Sequence, residues 1–311
     1  MSSDPAGIRS VAAPPPAWYR LVRLPNLLTV PGDPVAGALL AATWRNADAS
    51  VAGIILVAFA AVCLYAFGLV LNDLRDLPED RILRPERPLP AGSIGIRAAV
   101  VGTACLLSAG LVAAAFAGPV TLLVALLLAC LIAFYDLVAK GHRWIGAATM
   151  GSCRAMSMVL GMSTVGAAPP AFAAAAALLC YVAAVTGLAH DESRSCSFGA
   201  LSRGPLLAGT AFGGLLLVLM YGTIAIWAWL TGLALAIAGN HATWRNGTLL
   251  HTATVPPVTI QRTVGQLLRR LLVWQAVASV LAGGFAGAAT AAVLIAFLPL
   301  HRLLSRRFPP T

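Results

Sequence analysis

Long apolar stretches alternate with short polar ones along almost the whole chain. A helix needs about 20 apolar residues to cross the hydrocarbon core of a bilayer, and it satisfies its own backbone hydrogen bonds there. The pattern therefore predicts an all-α, multi-span transmembrane helical bundle of nine to ten helices, with ten as the best count. The predicted spans are residues 21–43, 51–72, 96–116, 118–138, 145–165, 170–190, 204–221, 223–239, 264–282 and 284–303.

The polar stretches between these spans carry most of the basic residues. If ten helices alternate in direction, the basic segments all fall on one side, and Arg45 stands alone on the other. Cytoplasmic loops of membrane proteins are enriched in Lys and Arg. We therefore predict an integral protein of the cell membrane with both termini in the cytoplasm. Residues 1–17 are expected to form a disordered tail, and residues 18–311 a single transmembrane domain.

Composition indicates the same class of protein. Hydrophobic residues make up 59% of the 311 residues and charged residues only 10%, which is far from the composition of soluble domains. The net charge of +10 does not indicate a nucleic-acid partner, because the basic residues follow the loops and form no tract. The six cysteines include no Cys-x-x-Cys pair, so neither a zinc site nor a disulfide framework is expected.

One segment, NDLRDLPEDRILRPERPLPAG at residues 72–92, concentrates the scarce charge. On a continuing helix, Asp73, Asp76 and Asp80 are spaced i, i+3 and i+7, which places three carboxylates within a narrow arc. A divalent cation would offset their repulsion, and Mg²⁺ prefers a few carboxylates together with water and phosphate oxygens. Pro78 is expected to end or kink the helix near Leu77, which favours Asp73 and Asp76 over Asp80 as ligands. The alternative is an acidic loop that is simply solvated.

The segment resembles the first aspartate-rich motif of the UbiA superfamily of intramembrane prenyltransferases. The similar residues are Asn72, Asp73, Asp76 and Asp80, followed by Arg84-Pro85-x-Arg87-Pro88-Leu89-Pro90-x-Gly92. They lie at the predicted cytoplasmic end of the second span, where the family has its motif. The stretch CRAMSMVLGMS at residues 153–163 is similar to the EboC-like branch of that family.

The resemblance implies a helical bundle around a central cavity that opens to the cytoplasmic side. Mg²⁺ held by aspartates would bind the diphosphate of an isoprenyl donor, and ionisation would leave an allylic carbocation for an acceptor to capture. The implied metal ligands are Asp73, Asp76 and Asp80, with Asn72, Arg84 and Arg87 at the diphosphate. The expected partners are an isoprenyl diphosphate, an acceptor of unknown identity and membrane lipid.

Two further candidates lie beyond the motif. Tyr135 and Lys140 match the family's Tyr-x-x-x-x-Lys arrangement and are expected at the diphosphate, although an interfacial Tyr with a snorkelling Lys is an equal alternative. Arg154 falls within an apolar span, where a guanidinium needs a counter-charge. Diphosphate is one partner that fits, and a buried carboxylate is the other. We predict catalytic roles for Asp73, Asp76, Lys140 and Arg154.

The sequence departs from the family at its second motif, which normally spaces aspartates as D-x-x-x-D. The corresponding stretch, LAHDESRS, offers only Asp191 and Glu192, and His190 precedes them as a candidate base or a polar cap. Adjacent helical residues point about 100° apart, so only one of the two acids is expected to hold a second Mg²⁺. This departure keeps two alternatives open. One is a terpene cyclase of the same superfamily that uses no external acceptor, and the other is a non-catalytic binder or transporter of isoprenoid lipids.

Overall fold

The computed structural model of the protein describes residues 16–190, 195, 197–250 and 254–307. Within these residues the chain forms helices and short connections and has no β-strand, so the all-α prediction is confirmed. The α-helices are α1 Ala17–Leu21, α2 Leu24–Leu27, α3 Gly32–Arg45, α4 Val51–Leu83, α5 Ile96–Ala117, α6 Pro119–Leu137, α7 Arg143–Met162, α8 Pro169–Ala189, α9 Gly204–Leu219, α10 Ile226–Thr248, α11 Pro257–Arg269, α12 Leu271–Leu281 and α13 Gly284–Arg307. Short 3₁₀ helices, Ala139–Gly141 and Gly199–Arg203, precede α7 and α9.

Six helical stretches of the described chain are long and apolar enough to cross a membrane. They are Val51–Leu83, Ile96–Ala117, Pro119–Leu137, Pro169–Ala189, Leu201–Leu219 and Gly284–Ser305. Each overlaps one of the predicted spans. The remaining predicted spans fall on α3, α7, α10 and the α11–α12 pair, which do not meet this standard. The count of ten spans, the single domain over 18–311 and the side on which a cavity opens therefore stay predictions.

The first predicted span, residues 21–43, is not one helix. It contains α1, α2 and α3, with breaks before Leu24 and before Gly32. Pro25 and Pro31 stand at these breaks, and proline has no backbone N–H to continue a helical ladder. The predicted span 264–282 is likewise divided, because Arg270 separates α11 from α12.

The sequence predicts that Pro78 ends or kinks the helix near Leu77. Helix α4 does not end there but continues through Pro78 to Leu83. Its last turn is closed by the N–H of Arg84, which donates to the Asp80 carbonyl oxygen at 2.9 Å. The Asp80 carboxylate also binds the side chain of Arg87. These bonds hold the turn of α4 that follows Pro78, although the bond that the Pro78 nitrogen would donate is missing. As a result Asp80 stays on the same helix as Asp73 and Asp76.

Helix α7 lies between the two larger apolar clusters of the bundle. One cluster joins it to α4, α5 and α6, and the other joins it to α3 and to helices α8 through α13. Helices α3 and α7 approach so closely that a Cβ on Gly161 would collide with the Pro34 carbonyl oxygen, and one on Gly37 with the Met158 carbonyl oxygen. Small residues permit such backbone contact in membrane bundles.

Candidate active site

Three segments distant in sequence meet at the C-terminal end of α4. Because α4 is continuous through Pro78, Asp73, Asp76 and Asp80 lie on successive turns of one helix. Basic side chains from the α1–α2 turn, from the segment after α4 and from the 3₁₀ helix Ala139–Gly141 reach these acids. The site therefore depends on tertiary packing as much as on the acidic motif itself.

Asp73 is buried, with 8% of its side chain exposed, and it contacts two arginines. Arg23 Nη2 lies 3.2 Å from Asp73 Oδ1, and Arg87 Nη1 lies 4.0 Å from the same atom. The amide of Asn72 donates to it at 3.5 Å. Arg23 itself has a left-handed backbone with φ +47°, which is uncommon for a residue other than glycine.

Arg23 is not among the site residues predicted from the sequence. Its contact with Asp73 bridges 50 residues of chain, and a single sequence carries no signal for such a pairing. The one available signal is local: Arg23 stands in a proline-interrupted stretch that precedes a buried apolar helix.

Lys140 connects the 3₁₀ helix before α7 to the acidic motif. Its Nζ forms an ion pair with both carboxylate oxygens of Asp76 and donates to Asn72 Oδ1 at 2.9 Å. The structure thus brings three of the predicted site residues into direct contact. Asp76 and Lys140 remain partly exposed, at 20% and 29% of their side chains, so both are open to a ligand.

Asp80 binds the two arginines that follow α4. Arg87 Nη1 lies 2.7 Å from Asp80 Oδ2, and both side chains are buried. Arg84 Nη1 lies 3.8 Å from Asp80 Oδ1 and is half exposed. The Arg-Pro repeat therefore contributes one fixed guanidinium, that of Arg87, and one that is largely in solvent.

A cavity of about 190 Å³ lies beside Lys140. Tyr135 and Lys140 line one side, and Thr186 and His190 line the other. Asp191 and Glu192, the predicted ligands of a second metal, directly follow His190 and lie outside the described residues. Asp136, which follows Tyr135 on α6, is buried, at 4% exposure.

Arg154 lies in a separate buried network, away from the acidic motif. Its Nη2 is 2.9 Å from Asp33 Oδ2 and donates to the Thr29 carbonyl oxygen at 2.6 Å. Gln275 donates to Thr29 O and to Asp33 Oδ1, at 2.6 Å each. Of the two partners predicted for Arg154, the structure has the buried carboxylate. A role at the diphosphate stays a prediction that this geometry does not support.

Tyr181, an aromatic residue of α8, lies in the core of the bundle. Its ring packs edge-on against Trp274 with centroids 6.0 Å apart, and its hydroxyl donates to the Leu267 carbonyl oxygen at 2.9 Å. Phe67 is also buried, whereas Phe134 is 45% exposed.

The donors of the acidic motif suit a hard cation. Asp73 and Asp76 stand one helical turn apart, and Asn72 adds an amide oxygen, so the set is all oxygen, as Mg²⁺ prefers. In the described part of the chain, however, no three acidic, His or Cys side chains converge closely enough to hold a metal together. Asp73, Asp76 and Asp80 are instead each paired with a basic side chain. The residues fit Mg²⁺ if the arginine and lysine side chains move away from the carboxylates when the ion binds.

Comparison with protein families gives one match over most of the site. A model described as the UbiA prenyltransferase family matches residues 34–196, which is more than half of the 311-residue chain. The matched range contains the acidic motif and Lys140.

Individual relatives cover less of the chain. A digeranylgeranylglyceryl phosphate synthase of Methanococcus aeolicus is 28% identical over 150 residues, which is 48% of this chain and 52% of that protein. One from Metallosphaera sedula is 28% identical over 144 residues, or 46% and 50% of the two chains. The chain thus spans about half the length of the relatives that it matches.

Solved structures extend the likeness of the fold over most of the chain. A structure described as a UbiA homolog from Archaeoglobus fulgidus bound to DMAPP and Mg²⁺ has a TM-score of 0.53 at 20% identity, covering 85% of this chain and 99% of that one. An apo UbiA homolog from Aeropyrum pernix has a TM-score of 0.55 at 18% identity, covering 81% and 96%. At these identities the likeness shows the fold alone.

Proposed function

Because the chain belongs to the UbiA prenyltransferase family, we propose that it transfers a prenyl group from an isoprenyl diphosphate to an acceptor within the membrane. Its relatives are named as synthases of a glyceryl phosphate lipid. We extend the proposal accordingly to an acceptor lipid with a phosphate-bearing headgroup. The basic loops support a cytoplasmic active site.

The observation that carries the proposal is the set of ion pairs at the end of α4. Asp73 is paired with Arg23, Asp76 with Lys140, and Asp80 with Arg87. A diphosphate presents anionic oxygens of the same kind as carboxylates, so the same basic side chains are suited to bind it. They are already held in place before a ligand arrives, which is the condition for strong electrostatic stabilisation of a leaving group.

The acids of the motif are proposed to hold Mg²⁺. Asp73 and Asp76 would be its main ligands, with Asn72 and Asp80 beside them, and one of Asp191 and Glu192 would serve a second ion. When bound, Mg²⁺ supplies positive charge that stabilises the diphosphate as it leaves. In this proposal Mg²⁺ replaces the arginine and lysine side chains that pair with the acids in the structure.

The chain's own residues then act on the donor as follows. Lys140 and Arg87 donate to diphosphate oxygens while the donor's C–O bond breaks and its electron pair leaves with the diphosphate. Tyr135 and Arg84 would complete the diphosphate site. The apolar helices keep water from the allylic cation until an acceptor nucleophile captures it and releases its proton. The proposal does not extend to Arg154, whose guanidinium is bound to Asp33 and Thr29.

The proposal is tested by pyrophosphate release from purified full-length protein. The assay supplies Mg²⁺, a phosphate-bearing alkylglycerol acceptor, and geranyl, farnesyl or geranylgeranyl diphosphate. Asp76→Asn removes the charge that orients Lys140. We expect turnover to fall about 100-fold or more, the scale seen when one preorganised electrostatic group is lost from an active site.

Glu79→Gln is the matched control, because Glu79 lies on the same helix, is exposed, and loses the same charge. We expect this variant to retain near-normal turnover and the same melting temperature as the Asp76 variant. Equal activity in the two variants would reject the site. Cyclic products formed without acceptor would support the cyclase alternative, and an intact, protein-bound donor would support the binder.

A further inference from the structure

Three arginines cluster where α11, α12 and α13 meet. Arg269 ends α11, Arg270 separates α11 from α12, and Arg302 lies near the end of α13. Arg269 and Arg270 are adjacent in sequence, α12 packs along α13, and Arg269 interacts electrostatically with Arg270, Arg302 and His301. We call Arg269, Arg270 and Arg302 the arginine cluster.

The arginine cluster has no counter-ion in the part of the chain that the structure describes. No Asp or Glu of that part lies within ion-pair distance of any of the three side chains. The Nε atoms of Arg269 and Arg270 are buried and have no hydrogen-bond partner there, as is also true of the Nε atoms of Arg143 and Arg154, whose guanidinium groups have other contacts. The other partly buried or buried arginines of the described chain all have partners: Arg20, Arg23, Arg87, Arg143 and Arg154.

These three positive charges, which have no partner among the described residues, repel one another, and the partly buried Arg269 and Arg270 also lose part of their hydration, whereas Arg302 is exposed. An anion bound among them would offset both costs. Guanidinium groups match phosphate oxygens in a bidentate geometry, which makes phosphate the ligand chemistry that suits the arginine cluster best.

The surroundings of the arginine cluster indicate a lipid as the source of that phosphate. Leu300 and Leu303 flank Arg302 on α13 and are exposed on the outside of the bundle, at 39% and 52%. α13 is long and apolar enough to span a bilayer. Arginines at the end of such a helix lie at headgroup level, next to surface that suits acyl chains.

We propose that the arginine cluster binds the phosphate group of a lipid at the bilayer boundary. The source is either the acceptor lipid, in which case the inference rests on the proposed function, or a phospholipid of the surrounding membrane. The arginine cluster is separate from the ion pairs of the acidic motif, but α8 runs past both. Tyr181 on α8 is near Arg270, and His190, about 13 Å further along that helix, lines the cavity beside Lys140.

Binding is measured first, without turnover. Full-length protein in non-ionic detergent is titrated with phosphatidic acid, or with the diacylglycerol of the same chains, and lipid adducts are counted by native mass spectrometry. Arg269→Gln/Arg270→Gln is expected to weaken phosphatidic acid binding at least about tenfold and to leave diacylglycerol binding unchanged. Arg269→Lys/Arg270→Lys, which keeps the charge, is expected to retain part of the binding.

The matched control is Arg245→Gln/Arg262→Gln, which removes two charges from exposed positions on α10 and α11. This control is expected to bind phosphatidic acid like the wild type. If the two double variants bind phosphatidic acid equally, the arginine cluster is no phosphate site and the proposal is overturned.

Kinetics in phosphatidylcholine nanodiscs then distinguish the two sources. A higher KM for a phosphate-bearing alkylglycerol acceptor, with KM for the donor unchanged, assigns the arginine cluster to the acceptor. An unchanged acceptor KM together with the binding loss assigns it to membrane phospholipid. A wild-type protein without turnover would reject the proposed function while leaving the binding result intact.

Discussion

Arg154 illustrates how one buried charge determines its neighbours. Its guanidinium binds Asp33, which is fully buried, and donates to the Thr29 carbonyl oxygen. Gln275 donates to the same carbonyl oxygen and to Asp33. The sequence predicts that an arginine inside a span needs a counter-charge, but not which one. The partners are far apart along the chain: Arg154 and Thr29 are separated by 125 residues, and Gln275 and Asp33 by 242. A local sequence pattern cannot indicate such contacts.

The Asp33–Arg154 pair gives a stability prediction. Arg154→Met leaves the Asp33 carboxylate buried without its cation, and breaking a buried pair in this way costs about 3–5 kcal/mol. We expect unfolding of the detergent-solubilised protein at correspondingly lower denaturant concentration. The double variant Asp33→Asn/Arg154→Met removes both charges and should recover a large part of the loss. A single variant as stable as the wild type would mean that the pair contributes nothing.

The acidic motif is the part of the site that single residues predict best. Asp73 and Asp76 are identified from residue type and spacing, whereas Asn72 and Lys140 are identified from the resemblance to the UbiA family, and the structure brings the four together. Arg23 and the burial of Asp136 are not predicted, because both depend on which helices pack against α4 and α6. Residue type and spacing along one helix are set by the local sequence, whereas the identity of a counter-ion depends on tertiary packing.

At the scale of elements, hydropathy predicts where apolar helices run but not where they break. The break between α2 and α3 leaves the Thr29 carbonyl oxygen outside a helical ladder, and Arg154 and Gln275 donate to it. A break inside an apolar region is tolerated only where such donors exist. Pro78 is the converse case, because α4 continues through this proline to Leu83.

The contact between α3 and α7 gives a prediction about packing. Gly161→Ala would place a methyl group against the backbone of Pro34, and overpacking of this kind costs about 1–3 kcal/mol. A displaced α7 would also move Arg154, which lies on this helix. We therefore expect the denaturation midpoint to fall and the yield of folded protein to drop.

Gly214→Ala serves as the comparison for this substitution. Gly214 is in the interior of α9, and a Cβ there would meet no atom within 4 Å. The added methyl group should be neutral or stabilise the helix by about 0.5 kcal/mol. If both alanine variants unfold at the wild-type midpoint, close backbone approach between α3 and α7 does not limit stability.

At the scale of the whole molecule, the charge distribution predicts an orientation in the membrane. The basic side chains that reach the acidic motif come from the α1–α2 turn, the segment after α4 and the 3₁₀ helix before α7. All of these lie at one end of the bundle. The connection between α3 and α4, with Arg45 as its basic residue, lies at the other end of both helices. The positive-inside bias predicts that the acidic motif faces the cytoplasm.

Single cysteines introduced into a variant that lacks the native ones test this orientation. Asp48→Cys lies in the exposed connection between α3 and α4, and Gly141→Cys lies beside Lys140, where a Cβ would meet no atom within 4 Å. A membrane-impermeant maleimide should label position 48 in intact cells and position 141 only after permeabilisation. This labelling pattern is expected because Arg23, Arg87 and Lys140 lie at the same end of the bundle as position 141, and the basic end of a membrane protein faces the cytoplasm. Labelling of position 141 in intact cells would place the proposed diphosphate site outside, where cytosolic isoprenyl diphosphates do not reach it.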